Sequence, residues 1–124
     1  MEATLETLKA LSDKNRMRVV AALWRFDELC ACQITELLHV SGATASRHLG
    51  ILLKAGLVDS RKEGRWVYYK LCKPEGSEPL FQWLEHSLSG ADELVMDFQA
   101  LIRIVGITRE DLCRKQRGEA CCPK

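Results

Sequence analysis

The sequence predicts a mainly α fold with a small β wing. Three observations carry that expectation. Apolar residues recur at helical spacing through most of the first 55 positions, and two β-type runs bracket Lys62-Glu63-Gly64-Arg65. A near-heptad seam then returns the chain to helix from Ser77 to about Gly106. At 124 residues the chain suits one domain that buries its own core. We read residues 1–106 as that domain and 107–124 as a cysteine-containing tail without periodicity.

Each element has a local cause. Leu5, Leu8 and Leu11 set a first helix over 3–12. Asp13 is placed to cap a second, from about Lys14 to Phe26, with Met17, Val20, Ala21, Leu23 and Trp24 turned inward. Ile34, Leu37 and Leu38 give a third helix over 30–38. His39-Val40-Ser41-Gly42 makes a turn, and Ser41 caps a fourth helix over 43–55. In that helix Ala45, Leu49, Leu52 and Leu53 form one stripe. Thr44, Arg47, Ile51 and Lys54 lie opposite, with His48 beside them. Gly56 closes the helix. Strands follow at 57–61 and 66–71, with Gly64 at the strained turn position. Leu80, Leu84, Leu88, Ala91, Val95, Phe98, Ile102 and Val105 then step by fours and threes. Such a seam is wider than a small domain needs, so it predicts a homodimer interface through Leu80, Leu84, Leu88, Val95, Phe98 and Ile102.

Composition narrows the class. Hydrophobic residues make up 47 % and charged residues 28 %, an ordinary globular mixture that excludes long disorder. No apolar run approaches the ~18–20 residues of a membrane span, and Met1-Glu2-Ala3-Thr4 does not start a signal peptide. The expectation is a cytoplasmic protein without a membrane partner. Thiols stay reduced there, so six cysteines point to metal or redox chemistry rather than a disulfide frame.

The net charge of +1 conceals a pattern. Residues 1–40 carry five basic and six acidic groups, and residues 71–124 carry seven and nine. Residues 41–70 carry six basic and two acidic, a net of +4. A basic block between acidic ones is the footprint of a nucleic-acid face. The block coincides with the fourth helix and the hairpin; with the third helix just before them, the order fits a winged helix-turn-helix. In that motif the second helix enters the major groove of double-stranded DNA by its N-terminal residues. Those residues include Thr44, Ser46, Arg47 and His48, with Lys54 further along the same side. Arg47 suits bidentate contact with guanine, and Thr44 offers a methyl or a hydroxyl. Lys62 and Arg65 at the wing tip suit phosphates or the minor groove.

Two stretches carry a family resemblance. Ser46-Arg47-His48-Leu49 through Ala55-Gly56-Leu57-Val58, followed by Arg61-Lys62-Glu63-Gly64-Arg65-Trp66-Val67-Tyr68-Tyr69-Lys70-Leu71, resembles the arsenic-responsive repressor (ArsR/SmtB) family. The similarity extends over about residues 3–105. It implies a homodimer that binds operator DNA and represses until an inducer binds, and it implies dimerisation through the first and last helices. It implies a regulator, not an enzyme.

Glu28-Leu29-Cys30-Ala31-Cys32 resembles the arsenite-sensing motif of that family's founding branch. There a third cysteine follows three residues after the second; here Thr35 stands at that position. The inducer implied is trivalent arsenic or antimony, soft ions that favour thiolates. Two cysteines two apart on an intact helix point ~200° away from each other. Chelation by Cys30 and Cys32 is therefore expected to unwind the start of the third helix. The third thiolate has candidates in Cys121, Cys122 and Cys113; Cys72 reads as structural. Alternatives remain: another soft metal such as cadmium or lead, an oxidant sensed by a dithiol, or a metallochaperone or protein-interaction winged helix that never touches DNA. His86 has Glu85, Glu93 and Asp97 near it but no His-x-x-His partner, a poor zinc pattern.

Overall fold

The computed structural model describes residues 1–116, the side chain of Cys113 excepted. Cys121 and Cys122, and the side chain of Cys113, lie outside the described residues. Seven helices and three strands follow in the order α1 (Glu2–Leu11), α2 (Lys14–Arg25), β1 (Leu29–Cys30), α3 (Ala31–Leu38), α4 (Gly42–Lys54), β2 (Val58–Glu63), β3 (Trp66–Leu71), α5 (Glu78–Leu88), α6 (Asp92–Ile104) and α7 (Arg109–Lys115). The sheet is antiparallel with β3 central, in the order β1-β3-β2. This is the winged helix-turn-helix expected.

The caps explain most of the boundaries. Asp13 accepts the Arg16 N–H and opens α2, and Ser41 accepts the Thr44 N–H and opens α4. Burial raises the Asp13 pKa; the Arg16 N–H and the Arg16 charge outweigh it, so the carboxyl stays below its ordinary value. Gly64 turns the hairpin at φ 62°, which lets Glu63 face Trp66 across a two-residue loop.

The core is one cluster under the helix-turn-helix. Val19, Val20, Ala22 and Leu23 come from α2, Ile34, Leu37 and Leu38 from α3, and Leu49 and Leu52 from α4. Phe81 and Leu84 of α5, Leu101 and Ile104 of α6, and Leu112 of α7 close it. Val20 and Leu23 are buried as expected and Met17 and Trp24 pack against the cluster, but Val19 and Ala22 are buried in place of Ala21. Leu5 and Leu8 of α1 are exposed; only Ala10 and Leu11 enter the core.

Three features depart from the sequence reading. First, β1 was not expected. Leu29 pairs with Tyr69 and Cys30 with Tyr68, so the segment before α3 is an edge strand of the wing sheet. Second, the single helix over 77–106 is two. Gly90 takes φ 78°, and Ser89 and Ala91 are non-helical, which splits it into α5 and α6. The predicted seam then divides: Leu84 is buried inside the protomer and Leu80 and Leu88 pack against the core, while Val95 and Ile102 are 48 % and 55 % exposed. Phe98 is half-buried beneath the Arg25 guanidinium, 4.3 Å from its ring centre. Third, residues 109–115 of the expected tail form α7, opened by Thr108 accepting the Asp111 N–H.

Helix α7 belongs to the core. Leu112 is 0 % exposed, and α7 packs on α3. Leu112→Ala is therefore expected to cost ~2–4 kcal/mol in urea unfolding, as for other buried leucines. A change under about 0.5 kcal/mol, the scale of surface substitutions, would mean α7 is not docked.

Candidate nucleic-acid interface and thiol site

The turn between α3 and α4 sets the reading helix. His39 ends α3 in a left-handed conformation, φ 56°, and its N–H returns to the Thr35 carbonyl at 3.1 Å. Ser41 then caps α4, and its hydroxyl also donates to the Thr44 hydroxyl at 3.1 Å. Ser46, Arg47 and Lys54 are exposed on α4; Thr44 is half-buried. Lys62 and Arg65 are exposed on the hairpin, where Arg65 stacks 4.6 Å over Trp66. Arg47, Lys54 and Lys62 hold no ion pair among the described residues, so their charge is available to phosphate.

Two basic residues behave otherwise. Arg61 grips Glu28 with both arms, at 2.7 and 2.9 Å, and Glu63 at 2.6 Å. These carboxylates, Glu28 first, hold its guanidinium protonated beyond its ordinary range and neutralise it. His48 is the correction. Expected at the groove, it is buried, 5 % exposed, with its Nδ1 3.2 Å from Nη1 of Arg16. It lies three residues past buried Ala45, on the edge of the same stripe, and α2 supplies the covering partner.

The cysteine pair has a geometry that helical spacing misjudged. Cys30 is the last residue of β1 and the N-cap of α3, at φ −75° and ψ 151°, so it is not helical. Its N–H donates to Oε1 of Gln33 at 2.8 Å, and its sulfur accepts the Gln33 N–H, a capping box. The extended backbone turns its side chain toward Cys32, and the two sulfurs are 3.3 Å apart, both residues fully buried. The two sulfurs thus meet with α3 intact, contrary to the expectation from spacing. Cys30 takes part in a disulfide in this structure, and Cys32 and Cys72 are thiols.

The polar groups around the pair are engaged. The Thr35 hydroxyl donates to the Ala31 carbonyl at 2.8 Å and is thereby occupied. Gln116, just past α7, donates to the Cys32 carbonyl at 3.1 Å, and Lys115 reaches Glu36 at 2.5 Å. Among the described residues no group of three or more His, Cys, Asp or Glu is arranged to hold a metal. The acidic neighbours of His86 are also engaged: Asp97 takes both arms of Arg18 at 2.8 and 2.9 Å, and Glu93 pairs with Lys14. Burial pushes the Cys72 thiol up, and Asp59 adds to that, which suits a structural cysteine and not a reactive one.

The fold is a winged helix-turn-helix with an exposed basic face. The model of the bacterial regulatory protein, arsR family, matches residues 13–60. The chain is 52 % identical over 61 residues to the cadmium resistance transcriptional regulatory protein CadC of Listeria innocua, covering 49 % of this chain and 51 % of that one. It is 33 % identical over 92 residues to the arsenic resistance transcriptional regulator ArsR2 of Pseudomonas putida, covering 74 % and 79 %. The solution structure of the homodimeric winged helix-turn-helix domain Mb0332 of Mycobacterium bovis matches with TM-score 0.59 and 26 % identity, over 73 % and 86 % of the two chains. The chain spans about half the length of CadC and of several other curated relatives that it matches. This protein belongs to the ArsR family of bacterial transcriptional regulators. No helix among the described residues is long and apolar enough to cross a membrane.

Proposed function

We propose that this protein is a homodimeric repressor that binds operator DNA through α4 and the wing and is released when a soft ion binds Cys30 and Cys32. The observation that carries this reading is the pair of sulfurs 3.3 Å apart at the start of α3. Thiolates select soft ions, and α3 packs directly on the reading helix. The cysteine strand also touches the wing, since β1 pairs with β3 and Glu28 holds Arg61. An ion that draws in the two sulfurs therefore acts on both DNA-contacting elements. It weakens DNA binding only if it prefers the DNA-incompetent arrangement.

The inducer proposed is trivalent arsenic or antimony, and the name of ArsR2 supports it. The name of CadC, with the higher local identity, favours cadmium as a second reading. The disulfide at Cys30 favours a third, in which an oxidant closes the site and metal enters only after reduction. We assign the third thiolate to the C-terminal segment. In sequence Cys113 stands three residues before Gln116, the residue bonded to Cys32, and Cys121 and Cys122 follow. For dimerisation, the exposed Val95 and Ile102 of α6, with Leu5 and Leu8 of α1, supply the apolar surface.

Fluorescence anisotropy of DNA from upstream of the protein's own gene, titrated with reduced protein, tests this. Binding is expected to fall with salt and to be reversed by arsenite or antimonite. Reversal by cadmium alone selects the second reading, and reversal by peroxide alone the third. Absence of binding at low salt contradicts the repressor assignment.

A further inference from the structure

His48 sits on the reading helix, yet it is buried, and the partner that buries it ties three helices together. Arg16 donates through Nε to the Ala10 carbonyl at 2.7 Å and through Nη2 to the Lys9 carbonyl at 3.4 Å, both at the end of α1. Its backbone N–H donates to the Asp13 carboxylate that caps α2, and its Nη1 contacts Nδ1 of His48 in α4. A guanidinium has donors only, so Nδ1 accepts and the ring is neutral with its proton on Nε2. His48 directly follows Arg47, so holding its ring fixes how far α4 is rotated toward the groove.

We propose that His48 is a positioning residue for DNA binding: its neutral ring, held by Arg16, sets the rotation of α4 that presents Ser46 and Arg47, and protonation of the ring releases it. This rests on the DNA-binding reading above. The charged groups facing the ring are Asp13 and Arg16 from the α1–α2 junction and Arg47 of its own helix. A proton on Nδ1 removes the acceptor and sets two cations together; Asp13, 3.9 Å away, offsets only part of that. Burial, with Arg16 and Arg47, keeps the ring below its ordinary pKa of 6.5 despite Asp13. The hold is therefore complete above that ordinary value and is lost as pH falls from there through the lowered one. Acid should weaken DNA binding. An exposed histidine near phosphates would act with the opposite sign by gaining charge.

The test is operator affinity at fixed salt between about pH 7.5 and pH 5.5, the span over which imidazoles titrate. Wild type should weaken several-fold on acidification. His48→Asn keeps an acceptor near the Nδ1 position and does not titrate, so it should bind like wild type at the higher pH and stay flat. His48→Ala should bind weakly at both. Wild-type affinity independent of pH, or His48→Asn showing the wild-type acid weakening, overturns the proposal. Wild type that binds no DNA at either pH fails the repressor reading instead. The contact itself reads out without DNA: Arg16→Gln should raise the midpoint of the His48 ring titration by NMR, and an unmoved midpoint contradicts it.

Discussion

Cys30→Ser is expected to leave the operator affinity of the reduced protein unchanged and to abolish its release by soft ions. Serine keeps the shape and is a preferred N-cap, so its hydroxyl takes over the Gln33 N–H that the Cys30 sulfur accepts. The start of α3 is then held at least as well as before. What disappears is the soft donor: a hydroxyl does not replace a thiolate toward arsenic or cadmium. Coupling between ligand and DNA is typically ~1–3 kcal/mol, or about 5–150-fold in affinity, and the whole of it should vanish. Cys32→Ser should do the same, with a small stability cost because its hydroxyl is buried. The check is the anisotropy titration repeated with each variant beside thermal unfolding. A variant that still releases DNA at wild-type arsenite or cadmium concentrations removes that cysteine from the sensor.

Arg47→Ala is expected to lower operator affinity by ~1–3 kcal/mol and to relax discrimination at one base position, if the guanidinium reads guanine. The residue is exposed and holds no ion pair among the described residues, so unfolding stability should shift by less than about 0.5 kcal/mol. Lys62→Ala at the wing should act differently. Its loss should weaken binding evenly across sequences and reduce the salt slope by about one phosphate's worth. Competition with single-base operator variants at two salt concentrations separates these roles. An Arg47 variant that loses affinity evenly, with a shallower salt slope, assigns Arg47 to the phosphates.

The helix-turn-helix was legible because its signals are local. Asp13 and Ser41 cap their helices, Gly56 and Gly64 take positive φ, and α4 buries Ala45, Leu49 and Leu52 as its spacing requires, although Leu53, expected in the same stripe, is 37 % exposed because it sits at the stripe's edge. What was missed depends on distant partners or short spans. Strand β1 has two residues and exists only through pairing with β3, some 40 residues away in sequence. That pairing makes Cys30 an extended cap residue and brings its sulfur to Cys32. His48 lies on the border of its helix's buried stripe, and Arg16, 32 residues earlier, decides its side. Two breaks did carry local signals that periodicity overrode. Gly90 interrupts the seam, and Thr108 followed by Asp111 caps α7, a helix too short to show a period.

Ion binding at the Cys30–Cys32 pair and operator binding are expected to oppose each other. The most direct measurement is the affinity of the reduced protein for arsenite and for cadmium, each with and without saturating operator DNA. Linkage requires DNA to weaken ion binding by the same factor by which the ion weakens DNA binding. That equality is expected for one of the two ions, with the effect absent in Cys30→Ser. Ion affinities that are the same with and without operator would contradict it.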